Sequence, residues 1–155
     1  WLLKRHPAEW AKYRADIVTG LVGAISGAVR RAHPRAQLSA AVWYNAPYGN
    51  ELRDEPLLPG SEYECFGQDW AEWVRRGYVD FVCPMDYWLS PDSFRGVLDE
   101  QLRKAGGRVP VYAGLLRTPE FDIDLGGYEQ YVGRTEAAGA AGICFFHYGS
   151  WKQLL

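Results

Sequence analysis

Four short apolar runs constrain this chain more than any other feature. They are Leu38 to Tyr44, Val79 to Tyr87, Val109 to Leu115 and Gly142 to Tyr148, and their starts lie about 30 to 40 residues apart. That spacing is the length of a strand–helix–strand unit. The intervening segments carry helix signals. Pro7 suits a first turn, where its missing N–H is not needed. From there Trp10, Tyr13, Ile17, Leu21, Ile25 and Val29 recur three or four residues apart, which predicts a helix with one apolar face. Arg30 and Arg31 suit its C-terminus and Pro34 stops it. Gln68 to Arg76 predicts a short helix with Trp70, Trp73 and Val74 on one side and Gly77 as its C-cap. Pro91 to Ala105, closed by Gly106-Gly107, and Tyr128 to Ala138, capped by Gly139, predict two more.

Alternation of this kind predicts an α/β fold: a parallel sheet with helices on its faces. The run Val79 to Tyr87 is apolar almost throughout, as suits a strand covered on both sides. Two architectures fit, a small open doubly wound sheet and half of a (β/α)8 TIM barrel. A complete barrel needs about 250 residues, and four strands in 155 residues is about half of one. The chain opens on Trp1 rather than Met, and Trp151 to Leu155 read like the start of another helix. The expectation is therefore a partial domain over residues 1–155, the C-terminal half of a barrel. Such a half exposes an open sheet edge, which predicts self-association.

Composition narrows the function. Seventeen basic against 19 acidic side chains give a net charge of −2, without the basic stripe of a nucleic-acid binder. Hydrophobic residues make up 48%, enough for a packed core. No apolar run reaches the roughly 18 residues of a membrane span. The three cysteines, Cys65, Cys83 and Cys144, make no CxxC and no metal spacing, so no metal or cofactor is expected. Seven Trp and ten Tyr are many; flat rings fill cores and also stack on the ring faces of ligands.

One block carries a resemblance. Phe66-Gly67-Gln68-Asp69-Trp70, then Trp73, then Gly77-Tyr78-Val79-Asp80-Phe81-Val82-Cys83-Pro84-Met85-Asp86-Tyr87-Trp88 contains the pattern Q-D-W-x-x-W-x-x-x-G-x-V-D-x-x-x-P-M-x-Y. It resembles the glycosyl-hydrolase-like family ten barrels, a group of mostly secreted or lipid-anchored glycosidase-like proteins. Trp10 and Arg14 resemble that family's W-x-x-x-R helix, and Leu38 to Val42, Val111 to Gly114 and Ala141 to Phe146 resemble its strands. The resemblance implies strands five to eight of the barrel. It also implies an extracellular, periplasmic or lipoprotein-anchored setting and a carbohydrate substrate, with an acid/base carboxylate at the end of the absent fourth strand.

Glycoside hydrolysis uses two carboxyl groups across the scissile bond, and in a barrel they sit at the C-terminal strand ends. The four strand ends here carry Trp43, Tyr44 and Asn45; Asp86, Tyr87 and Trp88; Arg117 with Glu120 and Asp122; and His147 with Tyr148 and Trp151. Asp86 is the candidate catalytic carboxylate, or else a group bonded to a neighbouring strand end. Tyr87 and Trp88 are sugar contacts or packing. By alternation Trp43 and Asn45 face one way and Tyr44 the other, so one side is structural. Arg117 clamps an anionic sugar or pairs with Glu120, and His147 is a site histidine or a satisfied buried one. Asp69 reads as an N-cap, Asp80 as a structural residue at the stability face, and Cys83 and Cys144 as small core residues.

Three functions compete. The first is a glycosidase fragment acting on a polysaccharide or oligosaccharide, inactive alone. The second is a non-catalytic carbohydrate-binding barrel. The third is a substrate-assisted enzyme, because Met85-Asp86-Tyr87 also resembles the M-x-Y-D motif of family-eighteen chitinases, with Trp88 where that motif has its aspartate.

Overall fold

The computed structural model describes residues 5–44, 66–87, 89–117 and 125–152. Helix α1 spans Pro7–Ala32, strand β1 Ser39–Trp43, α2 Trp70–Arg75, β2 Phe81–Met85, α3 Pro91–Ala105, β3 Tyr112–Leu116, α4 Leu125–Ala138, β4 Gly142–Phe146 and α5 Tyr148–Trp151. The four strands form one parallel sheet in sequence order. The doubly wound alternative would reverse the strand order at a switch point, and it does not. The local signals act where expected. Asp69 caps α2, its carboxylate accepting from Glu72 N at 3.2 Å. Ser90 caps α3, and Gly106 ends that helix in the left-handed conformation at φ 60°.

Alternation sorts each strand into two faces. Ala40, Val42, Val82, Pro84, Val111, Ala113 and Leu115 lie under the helices. With Trp70, Trp73, Phe94, Val97, Leu98, Tyr128 and Tyr131 they make the core. The opposite, concave face carries Ala41, Trp43, Cys83, Met85, Tyr112, Gly114, Cys144 and Phe146. Gly114 is required there by contact. A Cβ on it would collide with the Pro84 carbonyl oxygen, so backbone would have to move. Gly114→Ala is expected to cost about 1–3 kcal/mol, read as a lower urea midpoint at unchanged slope.

The concave face is staggered. Val82 lies opposite Val111 and Met85 opposite Gly114, so Cys83 lies opposite Tyr112, which pairs with Gly142. Yet the Cys83 thiol meets the thiol of Cys144, two positions beyond Gly142. A shift of one residue per strand is the shear of an eight-stranded (β/α)8 barrel, in which alternate strands fill one layer.

Helix α1 forms where the period predicts it, and the structure shows which of its faces packs. The stripe Tyr13, Ile17, Leu21 and Ile25 faces solvent, at 58%, 53%, 59% and 44% exposure. The packed face is made of small residues instead: Ala11, Ala15, Thr19 and Ser26 are buried, with Val18 and Val22 beside them against the core. The cause is the bulk across from it. Trp73 donates from Nε1 to Thr19 Oγ1 at 2.9 Å, and a Cβ on Gly23 would lie 2.8 Å from the Tyr78 ring. Only small side chains let α1 approach those rings. Ala15→Leu is expected to destabilise by about 1–3 kcal/mol, whereas Ile17→Lys with Leu21→Lys should change stability by less than about 0.5 kcal/mol each. Thermal melts of the two variants distinguish the faces, and the reverse order would contradict this packing.

Candidate functional site

In a (β/α)8 fold the functional end is the C-terminal end of the strands, and the residues there divide between two faces. On the concave side stands a row of rings. Phe66 stacks on Trp43 at 5.1 Å between centroids and 17° between planes. Trp43 meets Tyr87 edge-on at 6.4 Å, and Tyr87 stacks on Phe146 at 6.0 Å and 29°. Phe146 in turn touches the His147 ring at 5.3 Å. Trp43 is held at its backbone, whose N–H donates to Gln68 Oε1 at 2.9 Å. Tyr87 is 9% exposed; burial pushes its phenol up to about 12, so it stays a neutral hydroxyl.

Asp86 lies elsewhere. It follows Val82 and Pro84 in parity, and its side chain is buried under α3 at 2% exposure. Gln101 Nε2 donates to Asp86 Oδ1 at 2.6 Å. Desolvation raises the Asp86 pKa to about 8, and the Gln101 bond offsets only part of that. Asp86 Oδ2 and Gln101 Oε1 are among the buried side-chain atoms that find no partner among the described residues. With desolvation as the largest cause, the neutral acid matches the site better than the carboxylate does. The candidate catalytic carboxylate therefore faces away from the concave surface, and of the two readings of Asp86 the geometry matches the bonded one. Its backbone N–H also reaches the Pro84 and Gly114 carbonyls, each at 3.1 Å, tying the turn that carries Tyr87 to β3.

The other candidates divide in the same way. Tyr44 is 3% exposed and packs in the core with Val42, on the helix side, so it is no sugar contact in this arrangement. Trp43 points the other way, into the ring row. The Arg117 guanidinium donates to the Ser150 carbonyl at 2.6 Å, which ties β3 to α5. His147 is exposed rather than buried, and its Nε2 lies 3.3 Å from Ser150 Oγ. Asn45, Trp88, Glu120, Asp122 and Asp124 lie outside the described residues. Asp80 holds β1 to β2: its Oδ2 accepts from Leu38 N at 2.8 Å and its Oδ1 from Arg30 at 3.1 Å. Those bonds, the Leu38 N–H first, hold its carboxyl below the usual range. Cys83 and Cys144 line the concave face together, and burial, with the neighbouring thiol, pushes Cys83 up to about 11, so it is an inert thiol. Among the described residues no group of three or more His, Cys, Asp or Glu could hold a metal ion.

Sequence reasoning missed Phe66, Phe146 and Gln101. Phe146 shares the parity of Cys144, and Gln101 falls on the α3 face of Phe94, Val97, Leu98 and Ala105, so both were available from periodicity. Phe66 opens the stretch that carries the family resemblance, but nothing there gives it a place at the strand ends.

Parallel strands in sequence order, each followed by a helix, with staggered lining and rings at the strand ends, define a (β/α)8-barrel type of protein. A solved structure agrees: that of the hyperthermostable endo-1,4-beta-D-mannanase from Thermotoga petrophila RKU-1 with maltose and glycerol superposes with a TM-score of 0.62 at 15% identity. The match covers 84% of this chain and 40% of the mannanase, and at that identity the likeness is one of fold. The glycosyl hydrolase-like 10 family model matches residues 3–118, and the chain belongs to that family. No curated protein matches it.

Proposed function

We propose that the chain is the C-terminal part of a glycoside hydrolase barrel, strands five to eight, and that it supplies a wall of the substrate site. The observation that carries this is the ring row Phe66, Trp43, Tyr87 and Phe146 at the strand ends of a family member. The substrate is a polysaccharide or oligosaccharide. Hydrolysis needs two carboxyl groups, and the described concave face presents none. The catalytic pair therefore comes from outside the described residues, at least one member from the strands before β1. In this assignment Trp43, Tyr87 and His147 face substrate, with Asn45 and Trp88 as further contacts. Asp86 and Arg117 position the strand ends that carry them. The setting is the cell envelope or beyond it; among the described residues no helix is long and apolar enough to cross a membrane.

The test is direct. The 155-residue chain is expected to be retarded in native gels containing polysaccharide and to release no reducing ends from it. Release of reducing ends by this chain alone would refute the shared-site assignment. Absence of retardation on every polysaccharide would remove the carbohydrate reading. Asp86→Asn should leave retardation unchanged, because the side chain does not face substrate and asparagine keeps an oxygen for Gln101 Nε2.

The empty concave face also supports a second reading, a carbohydrate-binding barrel without catalysis. It predicts the same retardation, and it is distinguished by a longer chain that includes the preceding strands and still releases no reducing ends. The exposed α1 stripe and the unpaired edges of β1 and β4 further imply self-association. Ile17→Lys with Leu21→Lys should lower the apparent mass in size-exclusion chromatography with light scattering; an unchanged mass would exclude α1 from the contact.

A further inference from the structure

We propose that Cys83, Cys144 and Met85 form a binding site for one thiophilic monovalent cation of the copper(I) or silver(I) class on the concave face of the sheet. The inference is independent of the carbohydrate reading. Its first ground is a meeting of sulfurs. The Cys83 thiol lies within hydrogen-bonding reach of the Cys144 thiol, although β3 runs between their strands. They meet because of what stands between them. Gly114 lies opposite Cys144 in the ladder and has no side chain to part the two. Met85 lies opposite Gly114 from the other side, on the same face as Cys83. Two thiols and a thioether thus border one gap in the lining. The Tyr87 phenol stands close enough to both thiols to interact with them electrostatically.

The second ground is ligand chemistry. Thiolate and thioether sulfurs are soft donors, and they select soft ions such as copper(I). A structural zinc site takes four ligands from thiolate, imidazole and carboxylate. Among the described residues no three such groups come together. Two thiolates and one weak thioether suit an ion that is content with two or three ligands.

The third ground separates this reading from a disulfide. Cys83 and Cys144 sit two strand spacings apart, so their Cα atoms are about 9 Å apart. A disulfide wants less than about 7 Å, and β2 or β4 would have to move. An ion between the sulfurs spans the difference with the strands in place. Burial keeps the Cys83 thiol protonated in the empty site, and a thiophilic ion competes with that proton directly. As the ion binds, each S–H bond gives its proton to solvent and an S–metal bond replaces it. Two protons leave, and the ion keeps its oxidation state.

The test offers copper(I) to the chain without oxygen, in ascorbate, from a chromophoric chelator whose colour reports the transfer. Wild type is run beside Cys65→Ser, Cys83→Ser, Cys144→Ser and Met85→Leu, each checked for folding by circular dichroism. Wild type and Cys65→Ser are expected to take up one ion per chain, which an equal amount of zinc(II) does not displace. Cys83→Ser and Cys144→Ser should each weaken uptake by more than about 100-fold, the upper range for losing a residue that merely supports a ligand, and Met85→Leu by about tenfold. X-ray absorption of the loaded wild type should show sulfur neighbours alone, a readout that needs no variant. No uptake, uptake that survives either serine variant at Cys83 or Cys144, or loss in Cys65→Ser would overturn the site. So would nitrogen or oxygen neighbours, or displacement by zinc(II). Ready closure of a Cys83–Cys144 disulfide in the folded chain on treatment with diamide would make the pair a redox couple instead and overturn it as well.

Discussion

Replacing Asp86 with asparagine is expected to flatten the pH dependence of stability between about pH 4 and pH 8. In the folded chain burial lifts this carboxyl from 3.8 to about 8, while the unfolded chain keeps the ordinary value. Between those two values the native state holds a proton that the unfolded state has released. Stability is therefore highest below the lower value, falls as pH rises, and levels off above the higher one. The slope is at most about 1.4 kcal/mol per pH unit. Asparagine mimics the protonated acid: it keeps an oxygen for Gln101 Nε2 and offers an N–H where the proton would stand. Urea midpoints of both proteins at pH 5, 6, 7 and 8 should diverge, with the variant gaining on the wild type at each step. Parallel curves would show that Asp86 is ionised in the folded state.

Trp70→Ala should be the most damaging single change outside the strands. The Trp70 side chain is 1% exposed, sits at the start of α2 and has Lys104 above its ring at 4.8 Å. Emptying a site of that size costs about 3–5 kcal/mol, which is comparable to the total stability of many small domains. Chemical denaturation read by fluorescence and by circular dichroism would show the loss. A drop below about 1 kcal/mol would mean that α2 repacks freely.

Both residues belong to the block that carries the family resemblance, and both are structural. Asp69 caps α2, Trp70 and Trp73 fill the core, and Asp86 anchors a turn from behind. That block was legible because its demands are local: a cap, a helix period, an apolar strand. Strands and helices followed from the same signals, to within a few residues at their ends. Two points stayed open where the answer depends on what lies across the gap. On α1 the period marks the larger apolar stripe without saying which face packs, and Trp73 and Tyr78 leave room only for the smaller side chains. At β2 the chemistry of a strand-end carboxylate left Asp86 either catalytic or bonded to a neighbour, although alternation from Val82 and Pro84 already set it on the helix side. The parity of a strand residue weighed more than its chemistry. The ring row was half legible. Trp43 and Tyr87 end predicted strands, but Phe66 joins them from a segment with no regular pattern.

The shift of one residue per strand also governs how these four units can be joined to others. A chimera that grafts them onto the first half of a different barrel has two seams, at β1 and at β4. Each seam must continue the same diagonal step. A donor half that meets β1 one residue out of step would have to exchange Trp43 with Val42, sending an indole into the helix layer and an aliphatic side chain to the ring row. Recombination points that preserve the strand count are therefore not equivalent. Those that also preserve the diagonal keep the tiers of the lumen aligned.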